Sequence, residues 1–143
     1  RMMKILKLLT VCITAAVFSL SISAFEVTGE SFQLEGKVTS ISIDDKGGVI
    51  NVSAEAGRYG KVFLTYNVVV NQKLPNQGYF HGRGIGINDA GERNTGSRQG
   101  VWRREGTLMK FYSLDDVSDA NMNYCESVID LRAETIKMTF YPF

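Results

Sequence analysis

The sequence predicts an all-β protein, a small antiparallel barrel of about eight strands. Apolar and polar residues alternate with a period of two in a series of short segments, which is typical of half-buried strands. Turn residues separate these segments at strand-length spacing, and no helical period of useful length follows residue 25. The 143 residues, 44% hydrophobic and 22% charged, suit one globular domain with a real core. Strands of this number most often close into a barrel or pack as a sandwich, and closure removes exposed sheet edges.

Residues 1–24 are predicted to be a secretory signal peptide that precedes a single barrel domain, residues 25–143. Three basic residues stand before an apolar run from Leu8 to Leu20, and the small residue Ala24 offers a cleavage site. The alternative is a membrane anchor, but this run is shorter than the ~20 residues that a spanning helix needs. We therefore expect export to the periplasm or beyond, with no stable membrane insertion after the signal is removed.

Charge and cysteine content exclude several classes of function. Without residues 1–24, 13 of the 16 basic residues and all 15 acidic residues remain, a formal charge of −2. A mildly acidic domain has no electrostatic reason to bind nucleic acid. Cys125 is then the only cysteine and His81 the only histidine, too few for an intramolecular disulfide or a structural zinc site. The sequence predicts no metal and no cofactor.

The first three strands follow from alternating apolar residues. The segment Phe32–Ile43 alternates with one slip of phase, which predicts a β-bulge near Thr39. A short strand, Ile50–Ala54, comes next. The segment Lys61–Asn71 is the most hydrophobic and is expected at the centre of the sheet. Lys73–Gln77 is predicted to be a connection.

The next strand, Gly78–Ile87, has an almost bare face, because its even positions are glycines apart from Phe80. Glycines on one face of a strand usually mean that bulky groups lie across the backbone. A three-residue hairpin loop, Asp89–Gly91, fits the sequence that follows. The register that this loop sets pairs four positions of each strand: Gly84 with Gly96, Gly82 with Arg98, Phe80 with Gly100 and Gly78 with Trp102. Two aromatic rings thus each face a glycine, an arrangement in which a ring covers bare backbone.

A second hairpin is predicted with a two-residue tip at Glu105-Gly106. Its register pairs Trp102 with Met109 and Arg98 with Ser113. The inner face then carries Phe80, Trp102, Met109 and Phe111. The outer face carries His81, Arg83, Ser97, Gln99, Arg103 and Lys110.

The remainder of the chain is predicted to be a polar, acidic loop, Asp115–Asn121, followed by a last hairpin. In that hairpin Tyr124–Leu131 pairs with Thr135–Phe140 around Ala133-Glu134, which matches Leu131 with Ile136 and Ile129 with Met138. Cys125 falls on the inward face.

Four segments carry a resemblance to a known pattern: Tyr59–Val62, Gly82–Gly86, Gly100–Gly106 and Asp130–Arg132. Their rhythm of glycines and strands resembles that of exported bacterial proteins of unassigned function. Those proteins resemble eight-stranded barrels of the allene oxide cyclase and dirigent-like kind, or the calycins. The resemblance spans roughly Phe32 to the C-terminus and implies a barrel. It brings no catalytic residue to any position of this chain.

Six residues are predicted to line a ligand site inside the barrel: Arg98, Asp115, Asn94, Trp102, Phe80 and Tyr66. A buried arginine needs a charged partner, and the predicted register brings Asp115 within reach of Arg98, so we expect an ion pair. This pair is either structural, near the barrel rim, or part of a site. In the second case Arg98, with Asn94 and Trp102, forms the polar end of an otherwise apolar pocket.

Other conspicuous residues are expected to have no chemical role. His81 lies on the predicted outer face, and the glycine run sits inside a strand without the spacing of a dinucleotide-binding loop. Cys125 is expected to be buried with no histidine facing it to form a thiolate. The acidic loop lacks the spacing of a calcium motif.

These observations predict a non-catalytic exported module that binds a small apolar or amphipathic ligand, or a partner protein. Two alternatives remain open, an isomerase or cyclase acting on a bound ligand and a structural envelope protein with a packed barrel. An open, partly polar interior would favour the module or the enzyme, and a packed interior would favour the structural protein.

Overall fold

The computed structural model describes residues 27–143, so the predicted signal peptide lies outside the described residues. Eight strands are present: β1 (Phe32–Ile43), β2 (Gly47–Glu55), β3 (Lys61–Asn71), β4 (Leu74–Ile87), β5 (Arg93–Glu105), β6 (Leu108–Val117), β7 (Met122–Asp130) and β8 (Thr135–Pro142). Each pairs antiparallel with the next, and β8 returns to pair with β1. The fold is a closed antiparallel barrel, which confirms the predicted fold class. Among these residues no helix is long and apolar enough to cross a membrane.

The first half of the barrel agrees with the sequence prediction in most respects. The register of β1 on β2 shifts between Val38 and Ser40, which confirms the predicted bulge. The bounds of β3 are those predicted. β3 pairs with β2 and β4 and so lies inside the sheet, as predicted, although every strand of a closed barrel has two neighbours. The segment Lys73–Gln77 was mispredicted as a connection, since β4 already begins at Leu74.

The glycine-rich hairpin of β4 and β5 has the predicted register. Gly82 lies opposite Arg98, Phe80 opposite Gly100 and Gly78 opposite Trp102. The loop closes with a hydrogen bond from the Asn88 N–H to the Glu92 carbonyl, 3.1 Å. Gly91 has φ +78°, a left-handed conformation that favours glycine.

The predicted register of β5 on β6 was wrong by two residues. Glu105 pairs with Leu108, so the tip of this hairpin is Gly106-Thr107 and not Glu105-Gly106. Arg98 therefore lies directly opposite Asp115 and Trp102 opposite Phe111. Because side chains alternate with a period of two, a shift of two leaves each residue on its predicted face.

Two further predictions at the end of the chain were wrong. The segment Asp115–Val117 belongs to β6, and only residues 118–121 form the loop. In the last hairpin Ile129 pairs with Ile136 and Ser127 with Met138, again two residues from the predicted register. The hairpin turns over four residues, 131–134, and not around a two-residue tip.

The middle of the barrel is filled by inward-facing side chains. The rings of Tyr66, Phe80 and Phe111 pack on one another with centroids 4.7 to 5.4 Å apart. All three are at most 1% exposed. Ile129 and Met138 belong to the same hydrophobic core, at 0% and 1% exposure. The barrel therefore has a packed centre, and free space is confined to its two ends.

Candidate functional site

One end of the barrel contains a pocket with mostly apolar walls. This end is formed by the β2–β3, β4–β5 and β6–β7 connections together with the start of β1. The pocket has a volume of about 90 Å³. We call it the mouth pocket, and its lining includes Leu64, Gly96, Arg98, Asp115, Asn123 and Phe140.

Arg98 lies between the mouth pocket and the packed centre and is 6% exposed. Its Nε donates to Asp115 Oδ1 at 3.0 Å, and its Nη1 donates to the Tyr66 hydroxyl at 2.7 Å. Its Nη2 donates to Ser113 Oγ at 3.0 Å and reaches Ser127 Oγ at 3.5 Å. The guanidinium carbon also lies 5.0 Å from the centroid of the Tyr66 ring. All three nitrogens of the guanidinium are thus occupied by side chains of the barrel itself.

The charge of Arg98 is stable in this environment. Burial by itself lowers the pKa of Arg98, but the interactions with Tyr66 and Asp115 outweigh burial and raise that pKa above its ordinary value. Burial also raises the pKa of Tyr66, and the nearby guanidinium opposes that shift. The buried ion pair therefore consists of a permanent cation and the Asp115 carboxylate, with a neutral phenol beside them.

The two oxygens of Asp115 differ sharply in their environment. Oδ1 accepts from Arg98 Nε and from Ser113 Oγ, the latter at 2.7 Å. Oδ2 is buried and has no hydrogen-bond partner among the described residues. A buried acceptor without a partner is rare in folded proteins and is costly. Asp115 lines the mouth pocket, while Oδ2 itself is buried beneath the pocket surface.

Asn123 is a further polar residue of the site, and the sequence reasoning missed it. It pairs with Asp115 across β6 and β7 and is 6% exposed. Its side-chain amide makes no hydrogen bond with any residue in the described part of the chain. Side chains directly opposite on neighbouring strands have Cβ atoms about 5 Å apart. The Asp115 carboxyl group and the Asn123 amide are therefore neighbours in the lining of the mouth pocket.

The six residues predicted to line a ligand site do not all lie together. Arg98, Asp115 and Tyr66 form the network described above, and the Phe80 ring stacks on Tyr66. Asn94 lies at the rim of the mouth pocket, where its Oδ1 accepts from Ser118 Oγ at 3.3 Å.

Trp102 lies towards the opposite end of the barrel from Arg98, although it shares the hydrophobic core with Phe80 and Tyr66. It is four residues along β5 from Arg98, about 13 Å away. There it borders a second cavity, of about 230 Å³. Its Nε1 donates to the carbonyls of Tyr79 and Val69 at 3.1 and 3.2 Å. Trp102 therefore does not share a pocket with Arg98.

The rim of the mouth pocket is tied by a cluster of polar side chains. The Tyr59 hydroxyl, from the turn between β2 and β3, donates to Asp119 Oδ2 in the β6–β7 loop at 2.6 Å. Arg58 Nη2 lies 3.4 Å from the same oxygen. Slight burial tends to raise the pKa of Asp119. Hydrogen bonds from Tyr59 and Asn121 outweigh burial and lower that pKa below its ordinary value. This cluster joins two connections that are about 60 residues apart in the sequence.

His81 and Cys125 lie on the faces that the sequence predicted. His81 is exposed on the outer surface. Cys125 is 0% exposed, and burial raises its pKa to about 11, so it is a protonated thiol at neutral pH. Within residues 27–143 no group of three or more His, Cys, Asp or Glu side chains could hold a metal ion.

Comparison of the chain with family models, with curated proteins and with solved structures found no match. The barrel that the sequence resemblance implies is present, and membership of a family is not assigned.

Proposed function

We propose that this protein is an exported, non-catalytic barrel that binds a small ligand of apolar or amphipathic character in the mouth pocket. One observation carries the proposal: Asp115 lines an apolar pocket and has a buried carboxylate oxygen without a partner among the described residues. Small-molecule sites have this composition, with apolar walls and few convergent polar groups. The resemblance to calycin-type and dirigent-like barrels agrees with the proposal.

The volume of the pocket limits the size of what enters it. An engineered protein cavity of about 150 Å³ binds benzene, so about 90 Å³ suits a group of roughly four or five heavy atoms. A larger ligand would place such a group in the pocket and leave the rest outside, against the rim.

The chemistry of the site supports binding better than catalysis. Arg98 uses its nitrogens to hold side chains of the barrel, and the Cys125 thiol is protonated and buried. The packed centre of the barrel favours one alternative, a structural protein whose ion pair only supports the fold. The experiment below separates that alternative from a binding module.

Gly96 allows the pocket to be filled without disturbing the ion pair. A Cβ at Gly96 would lie 3.5 Å from the nearest atom, the Asp116 carbonyl oxygen, and its φ is not in the left-handed region. We expect Gly96→Val to fold and to occupy part of the pocket. Ser97→Val is the matched control, because it places the same side chain on the exposed outer face of the same strand.

The test titrates four-carbon compounds with different head groups into 15N-labelled protein. These are 1-butanol, butyramide, methyl propyl ether, butylamine and butyrate. We expect at least one compound to shift the amide signals of Thr95, Gly96 and Val117 saturably in the wild type and in Ser97→Val, but not in Gly96→Val. If no compound shifts them, or if Gly96→Val responds like the wild type, the proposed function is wrong and the structural alternative stands.

A further inference from the structure

We infer that the mouth pocket selects an uncharged head group that both donates and accepts a hydrogen bond, an alcohol or a primary amide on a short apolar chain. This inference rests on the proposed function and specifies the chemistry of its ligand. It follows from three features of the pocket: the vacant acceptor of Asp115, the free amide of Asn123 and the charge balance of the ion pair.

The first feature calls for a donor on the ligand. Oδ1 of Asp115 already accepts two hydrogen bonds, whereas Oδ2 accepts none from the described residues. Because Oδ2 is buried, water does not compensate it freely, and a donor that reaches it relieves an existing cost. Arg98 cannot be that donor, because its nitrogens are directed to Oδ1, to Tyr66 and to the two serines.

The second feature calls for an acceptor on the same head group. The Asn123 amide is opposite Asp115 and makes no side-chain hydrogen bond with residues 27–143. A hydroxyl can donate to Asp115 Oδ2 and accept from the Asn123 NH2 group with one atom. A primary amide can do the same with its NH2 group and its carbonyl. An ether has no donor, so it would leave Oδ2 unpaired.

The third feature excludes a charged head group. The Arg98 cation and the Asp115 carboxylate lie 3.0 Å apart with side chains 5% and 3% exposed, so the site is already neutral in sum. An ammonium or a carboxylate would bring a second, uncompensated charge into a mostly apolar pocket, which is unfavourable. Among the described residues, Arg98 and Asp115 are the only charged ones that line the pocket. At the rim, Asp119 is already bound to Arg58 and Tyr59.

The decisive measurement compares the dissociation constants of the same five compounds on the wild-type protein. 1-Butanol and methyl propyl ether are isomers, so their apolar bulk is nearly equal. We expect 1-butanol and butyramide to bind at least about tenfold more tightly than the ether, because a site with buried polar groups rejects an analogue that leaves them unpaired. Butylamine and butyrate should bind more weakly than the alcohol.

Equal binding of ether and alcohol, or tightest binding of a charged compound, would overturn the inference while leaving the proposed function intact. Absence of all binding is a different result, which removes the proposed function itself.

The variant Asn123→Leu tests the amide separately, since leucine has a similar volume and no polar atoms. We expect the preference for 1-butanol over the ether to shrink severalfold, with binding of the ether retained. An unchanged preference would show that Asn123 takes no part and would overturn its assignment. If Asn123→Leu does not fold, the wild-type series still decides the preference.

Discussion

Arg98 illustrates how a charged side chain can be buried in a barrel of this size. Its guanidinium is bound by a carboxylate, a phenol and two serine hydroxyls that come from β3, β6 and β7. Such a network costs desolvation of both charges, and its members depend strongly on one another. Removing one member is therefore expected to cost more than removing the ion pair as a whole.

The first prediction concerns this dependence. Arg98→Met leaves the buried Asp115 carboxylate without its counter-ion, and we expect a loss of unfolding free energy of about 3–5 kcal/mol. Adding Asp115→Asn removes the stranded charge at nearly constant shape, so the double variant should be clearly more stable than Arg98→Met alone. Urea denaturation followed by the fluorescence of Trp102, the only tryptophan, measures both. A double variant as unstable as the single one, or less stable, would show that the charge is not the cause.

Cys125 gives a second prediction, on alkaline stability. Burial raises the pKa of its thiol from about 9 to about 11 in the fold. Below about pH 9 the thiol is protonated in both the folded and the unfolded states. Above that pH the unfolded state loses its proton first, so the stabilising contribution is lost as the pH rises towards about 11.

Between pH 9 and pH 10, we expect the unfolding free energy of the wild type to fall more steeply than that of Cys125→Ala. The difference in slope should reach about 1 kcal/mol per pH unit. Burial is the largest cause of the raised pKa of Tyr66, so most of the Tyr66 contribution is common to both proteins. Parallel curves for the two proteins would contradict the assignment of a raised pKa to Cys125.

At the scale of single strands, the glycines of β5 have different roles. A Cβ at Gly100 would overlap the Tyr112 carbonyl of β6, which is backbone and cannot move aside cheaply. A Cβ at Gly96 would meet only ordinary contacts, the nearest at 3.5 Å. The two positions share a strand and a face but differ in the space above them.

This difference gives the third prediction. Gly100→Ala should lower the unfolding free energy by more than about 2 kcal/mol, because the strands must separate locally to admit the methyl group. Gly96→Ala should change it by less than about 0.5 kcal/mol. Thermal or urea denaturation of the two variants beside the wild type measures the contrast. Similar effects at both positions would mean that the register of β5 on β6 is not the one described.

The hairpins also show which parts of the fold a sequence can specify. Asp89–Gly91 was predicted correctly because Gly91 has to be left-handed in that loop. Gly106 is left-handed as well, with φ +63°, but it is the first residue of its tip and was taken for the second. In the last hairpin the left-handed residue is Glu134, φ +56°, and no sequence signal marks a glutamate for that conformation. Both registers were consequently two residues out.

Strand alternation predicted only part of the candidate site. Alternation placed Arg98 inside and so implied a carboxylate partner. Asp115 and Asp116 were nevertheless assigned to a loop, because acidic residues are uncommon in strands. In the fold the contact with Arg98 overrides that preference and keeps Asp115 in β6. Asn123 was missed for the same reason, since only a strand that includes Asp115 brings Asn123 opposite it.

At the scale of the whole molecule, closure of the barrel depends on the pairing of β1 with β8. This pairing runs from Phe32 opposite Phe140 to Lys37 opposite Thr135. The rings of Phe32 and Phe140 stack with centroids 4.8 Å apart. Because every strand has two neighbours, no strand presents an unpaired edge to another molecule. Closure also makes the stability of each strand depend on the whole ring of eight.

The last prediction tests this dependence at Lys137, whose side chain points outward and is 74% exposed. Lys137 lies between Glu35 of β1 and Val128 of β7, and proline there removes a hydrogen bond between strands without touching the core. Lys137→Ala is the matched control, because its loose 3.9 Å contact with Glu35 is an exposed ion pair worth little.

We expect Lys137→Pro to lower the melting temperature. The decrease should be the same whether unfolding is followed by the fluorescence of Trp102, on the far side of the barrel in β5, or by far-ultraviolet circular dichroism. Lys137→Ala should change neither value appreciably. If amide exchange in β8 becomes fast in Lys137→Pro while the Trp102 transition stays where it is in the wild type, the β1–β8 pairing frays alone. The β1–β8 pairing would then open independently of the other pairings. In a single cooperative barrel, the loss of one pairing also destabilises the strands opposite it.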